Sequence, residues 1–282
     1  MNRVIIATDS SAYLPKEYVD QFQIPVLPLT VNWEGKSYFD GIDIQAEEFY
    51  QQLGQSKSMA TTSQVTVGQF LEVFSKLLDA GKQVLYLGIS SGISATINSA
   101  LQASAELGNP ENLIVHDSNL VSMALGLMVL EVAKAAEKGA SLKECHALAQ
   151  DAYGRIGVYF TVDTLEYLHR GGRINSAKRL LGSALNLKPI MEIRDGKIEL
   201  VESVISRKKA LIRMVDLIEK GVDGRSPVRL APFHALAFDD MVIMENMAKE
   251  RLNPIEVIRS EVSPVIGSHV GPGTVSMAYM VG

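Results

Sequence analysis

The 282-residue sequence has one cysteine, Cys145, which excludes a disulfide framework, a CxxC redox pair and a thiolate metal cage. A reducing compartment suits such a chain. It also lacks a basic surplus. Lys and Arg number 27 against 32 Asp and Glu, a net charge of -5, so no positive stripe is available to displace counterions from a nucleic acid, and none is expected as a partner. No run approaches the roughly 18 consecutive apolar residues of a membrane span. The opening MNRVIIATDSS is apolar only over Val4 to Ala7, too short for a secretory leader, so a cytoplasmic chain is expected. GxGxxG, GxxxxGK[ST] and GxSxG are all absent, and with them the residues for dinucleotide binding, P-loop phosphoryl transfer and a nucleophile elbow. No nucleotide cofactor is expected. His116, His146, His169 and His234 fall in strand or helix patterns without metal-ligand spacing, so no metal is expected either.

What is present is a core-forming composition, 47% hydrophobic and 21% charged, with a length that favours two domains at roughly 150 residues each. In the first half a short β-branched run ends three times in a polar turn followed by an amphipathic stretch, the pattern of βα units in a parallel sheet. Val4 to Thr8 leads into Asp9, Ser10 and Ser11 and a helix begun by Pro15. Val84 to Ile89 leads into SSGIS, and Leu113 to His116 into Asp117 and Ser118. The region of about 24–64 reads as an insertion. It holds a strand turning at Glu34 and Gly35, a helix over Ala46 to Gln52, and a polar stretch in which Thr61, Thr62 and Ser63 have no period and read as a solvated loop.

Ser141 and Glu144 form a capping box for a helix ending near Tyr153, after which the pattern changes. The expected division is a Rossmann-like parallel α/β domain over 1–155 and an α/β domain with a mixed, partly antiparallel sheet over 156–282. The antiparallel component follows from KPIMEIRDGKIELVESVI, two strands joined by Asp195-Gly196, a strong hairpin signal. A helix over NSAKRLLGSALNL and a continuous strand over IEVIRSEVS are also expected. The last turn, 266–273, is expected as a glycine-rich loop carrying His269 back to the domain junction.

Ligands of an open parallel sheet bind off the carboxyl ends of its strands, so the three hydroxyl-rich turns should converge on one face. In SSGIS, Gly92 permits close backbone approach and Ser94 lies where a helix begins, an anion site by its hydroxyl and free amides. The same position suits a plain helix cap, and both readings stand. An imidazole on a glycine-rich loop, as at His269, can face an anion or a proton.

In order along the chain stand TDSSAYLP from Thr8, TSQ from Thr62, SSGISAT from Ser90, HDS from His116, EYLHRGGRI from Glu166, LKPI from Leu187 and IGSHVGPG from Ile266. Together they resemble the DegV family, the fatty-acid-binding subunits of bacterial fatty acid kinase, over essentially the whole length. The resemblance implies a lipid-binding, non-catalytic carrier of one long-chain fatty acid. Its carboxylate would lie at the domain junction on Thr62, Ser94 and His269. A partner kinase subunit that binds ATP would convert the ligand to an acyl phosphate for phospholipid synthesis. Ser63, Ser91, Gly92, Asp9, Ser10 and Asp117 would support the binding turns. The family usually has proline after TSQ where this chain has Val65, which loosens that loop.

Apolar material for an acyl tunnel is available in the second domain at Ile156, Val158, Phe160, Leu165, Leu168, Leu180, Leu181, Leu185, Leu187, Ile190 and Ile193, although an ordinary core needs the same residues. Arg170 and Arg173, with Lys178 and Arg179, read as a basic surface for the kinase or for transient contact with anionic lipid. Two rival readings are a serine-dependent acyl hydrolase using Ser94 and His269, with Asp9 or Asp117 orienting the imidazole, and a binding module for a small carboxylate or phosphate metabolite.

Overall fold

The computed structural model describes residues 3–54, 56, 58–180 and 187–282. In chain order the first half comprises β1 (Ile5–Asp9), α1 (Lys16–Phe22), β2 (Val26–Leu27), β3 (Thr30–Trp33), β4 (Lys36–Phe39), α2 (Ala46–Leu53), β5 (Thr61–Ser63), α3 (Val67–Asp79), β6 (Val84–Gly88), α4 (Thr96–Glu106), β7 (Leu113–Asp117), α5 (Ser122–Glu137) and α6 (Leu142–Tyr153). The second comprises β8 (Ile156–Thr161), α7 (Glu166–Arg170), β9 (Lys188–Arg194), β10 (Lys197–Val204), α8 (Arg207–Val222), β11 (Val228–His234), α9 (Phe238–Leu252), β12 (Glu256–Val257), β13 (Ser260–Glu261), α10 (Pro264–Val270) and β14 (Val275–Val281).

Strands β2-β1-β6-β7 form an all-parallel sheet in that order. The second-half strands form one mixed sheet, β10-β9-β8-β14-β11-β12, with β13 also on β11. A third, antiparallel sheet, β4-β3-β5, lies within the expected insertion. The fold is thus α/β with a parallel first half and a mixed second half. Both hairpin turns read from sequence are present. Glu34-Gly35 and Asp195-Gly196 each have two consecutive positive φ angles, 50° and 76°, then 49° and 71°, the geometry that matches strand twist. The Ser141/Glu144 capping box forms as well, and Thr66 with Gln69 makes a second at α3.

Helix α5 is apolar almost all round because it is covered on every side. It packs on β1 and β6 of the parallel sheet and on β8, β11 and β14 of the mixed sheet. The opposite face of the mixed sheet carries α8 and α9, joined through Met214, Ile218, Met241, Met244 and Met277. The buried strand β14 lies between β8 and β11.

Four expectations need correction. Thr61 to Ser63 is not a loop but strand β5, paired antiparallel with β3 so that Thr62 lies opposite Val31. The segment expected as a helix from Asn175 is a 3-10 helix as far as Leu180, and its remainder, with Leu181 and Leu185, lies outside the described residues. IEVIRSEVS is broken into β12 and β13, two two-residue strands both parallel to β11. His269 lies in the last turn of helix α10 and not on a loop. Pro264 at its first position and the Ser263 cap start that helix, and its glycine is a packing position rather than a flexible one.

Candidate functional site

Two elements from opposite ends of the chain meet at the central pair. Thr62 on β5 faces His269 on α10, with Oγ1 2.8 Å from Nε2. Helix α10 is held from three directions. The Tyr50 hydroxyl donates to the Val262 carbonyl at 2.9 Å while its ring covers Gly267. The buried Asp40 carboxylate accepts from the Val265 amide at 3.3 Å and from the Ser10 hydroxyl at 2.7 Å. Gly171, after α7, sits against the His269 Nδ1 edge, where a β-carbon would have no room.

The SSGIS turn supplies the facing wall. It is braced from both sides by buried or half-buried carboxylates. Asp9 accepts from the Ile89 amide and the Tyr86 hydroxyl, at 2.9 and 2.8 Å, and Asp117 accepts from the Ser91 amide. Burial pushes the Asp9 carboxyl above the ordinary carboxylate range, against the pull of these donors. The turn also meets the second half, because the Ser90 hydroxyl donates to the Gly196 carbonyl at 2.7 Å. Gly92 does permit a close approach, but what approaches is the Gly196 carbonyl at the β9-β10 turn and not a ligand.

Thr62, Ser63, Ser94 and His269 line one cleft of about 570 Å³, together with Gln64, Ile93, Ile266 and Arg173. Ser91 and Gly92 line an adjoining recess that shares Ser94 and Arg173 with it. The three turns do meet at the carboxyl edge of the parallel sheet, through the Asp9 bond to the Ile89 amide and the Asp117 bond to the Ser91 amide, but Asp9 and Ser10 line a separate groove of about 990 Å³ beside Tyr13, Glu47 and Glu261. Ser94 does part of a cap's work, its hydroxyl oxygen accepting from the Thr96 amide at the start of α4 at 3.3 Å. Its hydroxyl lies 2.9 Å from that of Thr96, with Ala95 between it and α4.

Arg173 departs most from its expected place. It is half-buried and turned inward, donating from Nε to the Ile93 carbonyl at 3.2 Å and from Nη1 to the Gly171 carbonyl at 2.7 Å. Among the described residues no carboxylate pairs with it, so its charge is available to the cleft. Arg170 is exposed, as expected, but is tied to Glu166 at 2.6 Å. Burial first, and then the Arg173 charge, lower the His269 pKa to about 4, so the imidazole is neutral at pH 7. A neutral imidazole meets a ligand as a hydrogen-bonding group and not as a cation. The hydrolase arrangement fails on geometry, since His269 Nε2 is engaged by Thr62, and Asp9 and Asp117 are bonded to backbone amides away from the ring.

Behind His269, Arg173 and Ile93 the cleft adjoins an almost wholly apolar slot of about 50 Å³, bounded by Val121, Ser122, Val158, Phe160, Ile193, Ile198, Phe233 and Val270 among others. Three residues named from sequence, Val158, Phe160 and Ile193, are on its wall. Ile190 is not, because strand alternation turns it to the α8 face with Met214. Ile156, Leu165 and Leu168 serve the general core. The slot is also not confined to the second half, since Ile93, Val121 and Ser122 come from the first. No group of three or more metal-ligating side chains occurs among the described residues. No described helix is long and apolar enough to cross a membrane.

Residues 3–281 match the family model described as "Uncharacterised protein, DegV family". The chain belongs to the DegV family. A DegV domain-containing protein of Listeria monocytogenes is 34% identical over 282 residues, covering 99% of both chains, and Protein DegV of Bacillus subtilis is 30% identical over 98% of each. Among solved structures, the one described as "Fatty Acid Binding of a DegV family Protein from Thermus thermophilus" superposes with a TM-score of 0.93 at 31% identity over 99% of both chains. That of "DegV, a fatty acid binding protein from Bacillus subtilis" superposes at 0.90 and 29% identity over the full length of both.

Proposed function

We propose that this chain binds one long-chain fatty acid, with its carboxylate in the cleft at Thr62, Ser94 and His269 and its hydrocarbon chain in the apolar slot. The observation that carries the reading is the join itself: a cleft of hydroxyl donors and an arginine with no carboxylate partner among the described residues adjoins an apolar slot. An amphiphilic anion has that shape. The fatty-acid-binding relatives support the same ligand class.

The hydrogen-bond chain has a direction. With its proton on Nε2, His269 donates to Thr62 Oγ1 and leaves Nδ1, which has no partner among the described residues, as an unpaired acceptor, a smaller penalty than an orphaned N–H. The Thr62 hydroxyl then donates outward to the carboxylate, as does Ser94. Neutral hydroxyl donors hold a carboxylate by short charge-assisted bonds without neutralising its oxygens. About fourteen methylenes at roughly 0.8 kcal/mol each supply on the order of 11 kcal/mol before entropic costs. The slot must widen to take them, since about 50 Å³ is far below the roughly 300 Å³ of a small ligand pocket.

In the finer reading, the two domains 1–155 and 156–282 hold the ligand between them, with 266–273 closing the junction, and a partner kinase subunit brings ATP to the cleft in the cytoplasm. A carboxylate oxygen then bonds to the γ-phosphorus as its bond to the bridging oxygen breaks, releasing ADP and leaving an acyl phosphate for phospholipid synthesis. Arg173, rather than His269, offsets the added negative charge. Native mass spectrometry followed by lipid extraction tests the binding step. One C14 to C18 fatty acid per chain is expected. An apo mass that stays unchanged with oleate or palmitate overturns it and favours a small-anion module.

A further inference from the structure

One polar group on the slot wall, unused by the carrier reading, combines burial with the lack of any partner among the described residues. Ser122, the first residue of α5, is 3% exposed and lines the slot, and its hydroxyl is buried with no hydrogen-bond partner among the described residues. Its backbone has φ of +54°, in the left-handed region that a residue with a β-carbon rarely adopts. Glycine at this position would relieve the backbone, and alanine would remove the orphaned hydroxyl. Strain and an unsatisfied buried polar group coincide at one residue on a cavity wall, the combination found where a ligand completes a site. Thr274 is engaged by the Val270 and Gly271 carbonyls, His269 Nε2 by Thr62, and Arg173 by the Ile93 and Gly171 carbonyls, whereas the Ser122 hydroxyl is buried with no such bond among the described residues.

We propose that Ser122 is a second polar subsite, which recognises a hydroxyl on the acyl chain near its carboxyl end, so that the preferred ligands are hydroxylated long-chain fatty acids. The proposal rests on the fatty-acid reading and refines it. The position along the chain follows from Leu120, whose carbonyl accepts from the Ser90 amide at 2.9 Å. Ser122 therefore stands two residues from a direct bond to the turn that carries Ser94. A ligand hydroxyl both donates and accepts, and so pairs with Ser122, whereas a plain methylene leaves the serine unpaired. A site built around such a bond discriminates against the analogue that lacks it.

The test measures binding of palmitate, 3-hydroxypalmitate and 16-hydroxypalmitate to delipidated full-length protein by calorimetry. The wild-type chain is expected to favour 3-hydroxypalmitate over palmitate by about tenfold, and to bind the 16-hydroxy isomer more weakly than palmitate. Ser122→Ala should erase the first preference, the readout being the ratio of 3-hydroxypalmitate to palmitate affinity. Ser122→Gly, which suits the backbone, should do the same if the alanine variant folds poorly. Equal wild-type affinities for palmitate and 3-hydroxypalmitate, or variants that weaken both alike, overturn the subsite and leave the fatty-acid reading intact. Failure to bind any of the three overturns both.

Discussion

Asp40 makes the stability of this protein depend on pH in a direction opposite to that of an ordinary salt-bridged carboxylate. Its side chain is completely buried between the Ser10 hydroxyl and the first turn of α10. Burial pushes its pKa to about 7, and nearby Asp9 adds to the rise. An unfolded aspartate titrates near 3.9, so the gap of about three pH units corresponds to on the order of 4 kcal/mol. The folded form keeps the proton longer. The stabilisation is therefore fully present below about pH 4 and is lost as pH rises to about 7. His269 and His116, both lowered to about 4 chiefly by burial, act in the reverse sense and gain stability as pH rises towards about 6.5. The total pH profile consequently mixes opposing slopes, and the informative quantity is the difference between the wild type and Asp40→Asn. Urea unfolding at intervals between about pH 4 and pH 7.5 should find the wild type losing several kcal/mol relative to the variant. A difference that stays flat across that window, whatever its size, would refute the buried-carboxyl account, since a constant offset reports only the altered hydrogen bonds.

Thr62→Ala and Ser94→Ala each remove one donor to a charged acceptor, worth roughly 1.5–3 kcal/mol. Either should cut acyl phosphate formation with the partner kinase at least tenfold while the unfolding midpoint moves little, and a double variant with full activity removes both residues from the mechanism. Gly171→Ala, at an unstrained backbone position, drives a β-carbon into the His269 ring. It should weaken fatty-acid binding by roughly 1–3 kcal/mol of overpacking, measured by calorimetry, and unchanged affinity would mean that the ring position is not critical. Imidazole carbon shifts followed by NMR should place the His269 titration near pH 4, and a midpoint at or above 6.5 would contradict its neutral form. Acyl esters should give neither burst nor turnover, since Ser94 has no bond to His269, and a burst would restore the hydrolase reading.

Local signals were legible wherever the cause lay within a few residues. Asp195-Gly196 fixes a hairpin because two adjacent residues must take positive φ, and Ser141 with Glu144 starts a helix because three-residue spacing closes a capping box. The misread elements depend on distant partners. Strand β5 has no alternation of its own, and its register is set by β3. His269 looked like a loop residue because IGSHVGPG is glycine-rich, yet Gly267 and Gly271 are small where the Tyr50 and Tyr167 rings need space. Candidate residues Thr62, Ser94 and His269 do share a cleft. The inward turn of Arg173 depends on carbonyls at Ile93 and Gly171 that no sequence pattern reveals.

The same glycines explain how the candidate cleft is assembled from remote segments. Four contacts close it: Gly92 under the Gly196 carbonyl, Gly171 under His269, Gly267 under Tyr50 and Gly271 under Tyr167. Each joins residues far apart in the chain, from 98 positions for Gly171 and His269 to 217 for Tyr50 and Gly267. Only at Gly196 and Gly271 does the backbone itself require glycine, at φ of +71° and +76°. At Gly92, Gly171 and Gly267 the requirement is space, so a β-carbon there would separate walls that the hydrogen bonds from Ser90 and Tyr50 hold together. On the proposed reading, apolar burial would set how strongly an acyl chain is held, while these close approaches would set where its carboxylate is presented. Substitutions in the slot should accordingly alter affinity and chain preference, and substitutions at the glycines should alter transfer of the head group before they alter either.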